Sequence, residues 1–249
     1  KEIGAFYETS CDSETISVSI SLPSKFEEKG MEILSSMALH PDFSEEELIR
    51  VKKLKKSEIL RDLKDPESVG MKISKMILWG KDSPYGHLTD GTISTIENIT
   101  RDDVVSFYEK IIAQENISLL SVGDYKESSI DFLKKEIENC SPKKCSLSDP
   151  PEPEAYNKSK LYFVNFKNLP SAFISAFTTT VKITSPIFPS LSIFNTILGG
   201  QFTSRLNKKM REEKGYTYGV KTYFFLQKGN LPWFLYSTVE LNKTIEAVT

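Results

Sequence analysis

Residues 14–22, ETISVSISL, alternate apolar and polar side chains, with Ile16, Val18, Ile20 and Leu22 on one face. A period of two predicts a half-buried strand, which Pro23 and Ser24 end. The period then changes. Met31, Ile33, Leu34, Met37 and Ala38 recur at helical spacing over residues 26–39, and Pro41 stops that helix because it has no backbone N–H to donate. Ser44 followed by Glu45, Glu46 and Glu47 predicts a capped helix start with acid in its first turn, running to about Leu63. Asp65-Pro66 restarts the chain, and residues 67–79 form a third predicted helix. SPYGHLTDGT reads as a loop. Thr100, with Asp103 three residues on, caps a helix to about Ala113. Residues 116–122 read as a strand and 128–139 as a helix. Further on, strands are predicted over 160–166, 172–180 and 233–239, a helix over 191–198, and the start of another helix at the end of the chain.

Between these two series lie residues 140–158, with Pro142, Pro150, Pro151 and Pro153 and little apolar content. Such a segment is expected to be extended and exposed. It divides the chain into residues 1–140, a linker at 141–158, and residues 159–249. Consecutive strands mixed with helical pairs predict an α+β architecture, not a regular βαβ repeat.

Residues 198–223, LGGQFTSRLNKKMREEKGYTYGVKTY, carry the strongest local signal. Gly199 and Gly200 close an apolar run, as glycine does at helix ends. Thr203 or Ser204 can cap a new, strongly charged helix containing Arg205, Lys208, Lys209, Arg211, Glu212 and Glu213. Gly215 stops it, and the aromatic, β-branched run that follows predicts a strand. Arg211 then sits on the last helical turn and Tyr218 at the mouth of the strand. A tight glycine turn can bring guanidinium and phenol to one sheet edge. The alternative is a solvated helix-end cation beside a core tyrosine.

Charge and composition narrow the classes. Lys and Arg number 32 against 34 Asp and Glu, a net charge of -2, so no basic surface suggests nucleic acid. No apolar run reaches the roughly 18 residues that a membrane-spanning helix needs. Cys11, Cys140 and Cys145 are too few for a disulfide framework, and with His40 and His87 they make no zinc-finger spacing. His87 lies in a glycine-rich loop without a nearby acid, and His40 at a helix end. The first residues lack an initiator Met and a signal peptide, and the last stop inside a helical pattern. The expectation is a piece of a longer chain.

The stretch from Gly199 to Tyr218 resembles the C-terminal half of the M16 metallopeptidases, the insulinase, pitrilysin and mitochondrial-processing-peptidase family. Gly-Gly, Ser-Arg-Leu, and Arg-Glu-x-x-Gly with a tyrosine seven residues past the arginine recur in the same order. The earlier segments GAFYETSCDSETISVSI, LHPDFSEEELIRVKKLKKSEI, SPYGHLTDGTISTIENIT and NISLLSVGD resemble the family's N-terminal half. The resemblance covers nearly the whole chain. It implies the α/β sandwich of LuxS and mitochondrial-processing-peptidase type, a mixed, mostly antiparallel sheet covered by helices, present here as two incomplete halves. Residues 1–140 are the later part of the N-terminal-type half, and residues 159–249 the early part of the C-terminal-type half.

By the same resemblance, Arg211 and Tyr218 fall on the residues that contact substrate, and Glu58 on the third zinc ligand. The family's His-x-x-Glu-His motif, whose two histidines share a metal while the glutamate activates water, is absent from residues 1–249 and would precede Lys1. Where the family carries a second glutamate seven residues before Glu58, this chain has Val51. Glu58 lies near Leu54 and Val51 on its helix, where burial of a carboxylate requires a partner; Lys52 and Lys56 leave open that it faces water.

The implied function is part of a zinc peptidase that binds and hydrolyses peptides, with Arg211 and Tyr218 hydrogen-bonding the substrate and the developing oxyanion. The edges of strands 160–166 or 218–225 are candidates for adding an extended peptide. Zinc belongs to the longer protein, and this chain alone is expected to bind none and to cut nothing. The alternative is a non-catalytic M16-like partner or scaffold subunit, which Val51 favours. Expected partners are a peptide, the missing parts of the longer chain or a homologous subunit, and further copies of itself, with no nucleic acid and no membrane span.

Overall fold

The computed structural model describes residues 3–140, 160–165 and 171–249. It forms two compact units. The first comprises Lys1–Lys56 and Thr92–Ser148; the second comprises Ser57–Gly91 and Asp149–Thr249.

In the first unit, strands β1 (Phe6–Cys11) and β2 (Ile16–Ser21) pair antiparallel as a hairpin. Its turn is fixed by Asp12, whose carboxylate accepts from the backbone N–H groups of Glu14 and Thr15, both at 2.8 Å. These bonds hold the Asp12 carboxyl below its ordinary pKa. The β2 alternation is as predicted. β1 was not legible in the sequence, and its Phe6 and Tyr7 side chains are exposed.

Helix α1 (Glu27–Leu39) packs on β2 and on α6 (Glu127–Glu138). Glu27 is buried, and its carboxylate accepts the Lys126 backbone N–H at 2.8 Å, which satisfies the start of α6. Glu136 on α6 accepts from Ser35 and pairs with His40, each at 3.0 Å. His40 is therefore a partner for Glu136.

Helix α2 (Glu45–Asp62) begins after Ser44, whose hydroxyl accepts the Glu47 N–H at 3.4 Å. The short α4 (Ile93–Asn98) directly follows the predicted loop, in a stretch where the sequence predicted no element. It forms because Thr92 and Thr95 exchange bonds in a capping box. The Lys52 ammonium donates to the Glu97 and Ile99 carbonyls at that helix's C-terminal end, where a cation is favoured. Thr100 and Asp103 cap α5 (Arg101–Ile111) reciprocally, as predicted.

The second unit is built on a three-stranded antiparallel sheet in the order β3-β5-β4, with β3 Ser171–Lys182, β4 Thr217–Phe224 and β5 Asn230–Glu240. Helix α3 (Pro66–Trp79) starts at Asp65, whose carboxylate accepts the Ser68 N–H at 2.8 Å, and packs against β3. Gly70 makes that approach possible: a Cβ there would lie 2.0 Å from the Phe173 ring.

The core joins Leu78, Trp79 and Tyr85 to Phe234, with Phe177, Tyr223 and Phe225 packed around them. Phe234 stacks on Tyr223, with ring centroids 5.7 Å apart and an interplanar angle of 15°. Burial pushes the Tyr223 phenol up to about 12. Helix α7 (Phe188–Asn195) runs on into a wide π-helical turn, Thr196–Gly200. Helices α8 (Arg205–Asn207) and α9 (Thr244–Val248) complete the unit.

Two predicted strands are not formed. Residues 117–122 lack strand pairing, with Leu120 and Val122 each 88% exposed. Residues 160–165 are likewise not in a strand, with Leu161 and Phe163 exposed at 93% and 90%; residues 166–170 lie outside the described residues. Apolar alternation expresses a preference for extended backbone, but a strand also needs a neighbour for its N–H and C=O groups. Neither segment joins a strand ladder among the described residues. The predicted linker, residues 141–158, also falls outside them.

Candidate functional site

The junction of α8 with β4 is set by one buried side chain. Asn207 is 5% exposed. Its amide nitrogen donates to the Gln201 carbonyl at 2.9 Å, the Ser204 hydroxyl at 3.1 Å and the Val220 carbonyl at 2.9 Å. Its amide oxygen accepts the Val220 N–H at 2.8 Å. Asn207 thus ties the loop before α8, the helix itself and β4 together. It reads in sequence as an ordinary polar residue of a charged helix.

Past Asn207 the helix widens into π-helical turns, Lys208–Glu213. Gly215 ends it at φ +66°, a left-handed conformation that favours glycine. The Tyr216 N–H returns to the Met210 carbonyl at 2.9 Å. β4 then opens with a bulge: Thr217 opposes Val239 and Val220 opposes Ser237, so Tyr218 and Gly219 together face one residue of β5. The Thr217 hydroxyl braces the bulge, accepting the Gly219 N–H at 3.1 Å and the Ser237 hydroxyl at 2.9 Å.

This geometry decides the open question about Tyr218. Its side chain is 100% exposed, so it is not a core tyrosine. The bulge turns it out of the ladder, and its phenol has no hydrogen-bond partner among the described residues. Arg211 is half-buried and lies with its guanidinium carbon 4.0 Å from the centroid of the Phe202 ring. No carboxylate pairs with it among the described residues. Phe202, 64% exposed, was not singled out from the sequence. No hydrogen bond joins Arg211 to Tyr218.

The outer edge of β4 is partly closed. Asn207 takes both backbone groups of Val220, and the Asn195 amide donates to the Thr222 carbonyl at 3.3 Å. An extended peptide laid along β4 as a further strand would have to displace both side chains, and residues 160–165 form no strand to offer an edge. The two edges expected to receive a peptide strand are therefore unsuited to it. What the site presents is side-chain chemistry: a guanidinium with five planar donors and a phenol that both donates and accepts.

Glu58 lies half-buried on α2, with Leu54 and Val51 beside it 50% and 40% exposed. Zinc requires at least three protein donors converging at about 2 Å. Among the described residues no three His, Cys, Asp or Glu side chains come together in that way. The described residues do not by themselves form a donor set that fits zinc. His87 lines an open depression of about 330 Å³ with Lys72, Lys75 and Asp90, away from any such cluster. No helix among the described residues is long and apolar enough to cross a membrane.

Residues 98–249 match the family model described as the peptidase M16 inactive domain. The chain is 23% identical over 194 residues to an uncharacterized zinc protease, YmxG, of Bacillus subtilis, covering 78% of this chain and 46% of that protein. It is 23% identical over 215 residues to the non-peptidase homolog YmxG of Helicobacter pylori, covering 83% and 48%. The chain thus spans about half the length of the curated relatives it matches. The crystal structure of a peptidase M16 inactive domain from Pseudomonas fluorescens superposes with a TM-score of 0.81 at 22% identity, over 99% of this chain and 60% of that one.

Proposed function

The chain belongs to the M16 peptidase family, and on that premise we propose that it is a peptide-holding portion of a longer M16 protein, in which Arg211 and Tyr218 grip an extended polypeptide through their side chains. The observation that carries this reading is that both polar ends are uncommitted among the described residues while their backbones are fixed, Arg211 by the helix docked through Asn207 and Tyr218 by the bulge. A guanidinium in this state donates to peptide carbonyls, and a phenol bonds either peptide group.

Fluorescence anisotropy of a labelled unstructured peptide on the full-length protein tests it. Arg211→Gln should weaken binding about tenfold, the loss of charge-assisted hydrogen bonds worth ~1.5 kcal/mol. Tyr218→Phe should weaken it about threefold, as for one neutral hydrogen bond. Unchanged affinity in both variants defeats the proposal.

Whether the longer protein also hydrolyses the peptide is a separate matter. In the catalytic version, a His-x-x-Glu-His segment elsewhere in the longer protein supplies two zinc ligands and Glu58 the third. In the alternative, the protein is a non-catalytic partner or scaffold. Val51 in place of a second carboxylate favours the alternative, as does a relative named as a non-peptidase homolog. Zinc content of the full-length protein, purified with and without a homologous subunit, separates them. About one zinc per chain that falls with Glu58→Gln supports catalysis, and its absence in both preparations supports the scaffold.

The exposed apolar side chains of residues 117–122 and 160–165, with Phe6 and Tyr7, support a further part of the proposal. Large exposed apolar side chains favour association. The 249-residue chain should scatter as a dimer or larger species, and a monodisperse monomer is the contrary result.

A further inference from the structure

Among the described residues the Arg211 guanidinium has no hydrogen bond or ion pair, and it lies over the Phe202 ring. The guanidinium carbon lies over the ring at 4.0 Å from its centroid, a cation–π arrangement. Arg211 has no hydrogen-bond acceptor or carboxylate partner among the described residues, so its N–H donors stay available, whereas a carboxylate partner would consume two of them. We propose that Phe202 is a positioning residue: it fixes the Arg211 side chain in the orientation that meets the peptide, while leaving its donors free.

The chain carries the two residues on separate backbone segments. Phe202 lies in the loop between the π-helical turn ending at Gly200 and α8, and Arg211 lies on the π-helical turns that follow α8. Asn207 fixes both segments, since it bonds the Gln201 carbonyl next to Phe202 and sits one helical turn before Arg211. The aromatic platform and the cation are therefore held in register by the same buried amide. Without the ring, the arginine side chain would rotate freely about four bonds, and that freedom would be lost on each binding event. Phe202 is 64% exposed. That much exposed aromatic surface next to a cation without a carboxylate partner also suits apolar contact with the bound chain.

This inference rests on the peptide-holding reading, and its test separates the two. In the full-length protein labelled with nitrogen-15 arginine, the Nε–Hε signal that vanishes in Arg211→Gln should lie upfield of the random-coil position because of the Phe202 ring current. It should move to the random-coil position in Phe202→Leu and stay upfield in Phe202→Tyr. The unstructured peptide should bind Phe202→Leu about fivefold more weakly than the parent protein, and Phe202→Tyr within twofold of it. An Arg211 signal at the same position in the parent and in Phe202→Leu overturns the inference. So does full peptide affinity in Phe202→Leu when Arg211→Gln is weakened, and so does failure of Phe202→Tyr to restore both readouts. Failure of the peptide reading shows differently: Arg211→Gln then leaves affinity unchanged while the ring-current shift persists.

Discussion

Phe234→Ala should destabilise the second unit by about 3–5 kcal/mol, the range for removing a fully enclosed aromatic ring. Phe234 is 0% exposed. Its ring touches Tyr223 on β4, Phe177 on β3 at 5.8 Å between centroids, and Trp79 on α3 at 6.2 Å. These contacts reach every strand of the sheet and the helix that covers it. β5 is the central strand, paired on both sides, so it cannot shift to fill the space. The cavity term therefore adds to the lost burial. Phe234→Leu, which keeps most of the volume, should cost less than half as much. Urea unfolding followed by tryptophan fluorescence reads the difference as a fall in midpoint at constant slope. A loss under ~1 kcal/mol for the alanine variant would mean that the aromatic cluster is not the core.

Asn207→Leu should cost about 3 kcal/mol or more, despite the similar size of the two side chains. Removing the amide leaves four groups without their present partner: the Gln201 and Val220 carbonyls, the Ser204 hydroxyl and the Val220 N–H. A buried polar group that loses its partner costs about 1–3 kcal/mol, and not all four can reach water when Val220 and Ser204 are themselves about 4% exposed. The variant should also free the edge of β4 at Val220 for pairing. Faster amide exchange at Val220, together with the fall in unfolding midpoint, is the expected signature; exchange as slow as in the parent contradicts this account of the junction.

Helix boundaries were legible wherever a local side chain ends a helix. Ser44 and the Thr100–Asp103 pair announce their helices, and each makes the bond its spacing implies. Strands were legible less well, since pairing is decided elsewhere in the chain. Residues 171–182 find β5 and become a strand; residues 117–122 have a similar apolar content and find no partner. The grouping of residues 57–91 with the later strands is a tertiary fact that no local pattern carries. Arg211 and Tyr218 were visible through the motif and its spacing. Phe202 and Asn207 were not, because a lone aromatic in a loop and an asparagine in a charged helix acquire meaning only from the side chains that the fold brings beside them. The bulge that exposes Tyr218 was equally hidden, since the strand pattern continues through it in sequence.

Photo-cross-linking tests the central claim most directly. With p-benzoyl-phenylalanine in place of Tyr218 in the full-length protein, irradiation with an unstructured peptide should join the peptide to that position. The same group in place of Ile245, which is 80% exposed on α9, should capture little. Preferential capture at 218, abolished by excess unlabelled peptide, is the predicted result. Equal capture at both positions, or capture that unlabelled peptide does not compete away, contradicts a peptide held between the guanidinium and the phenol.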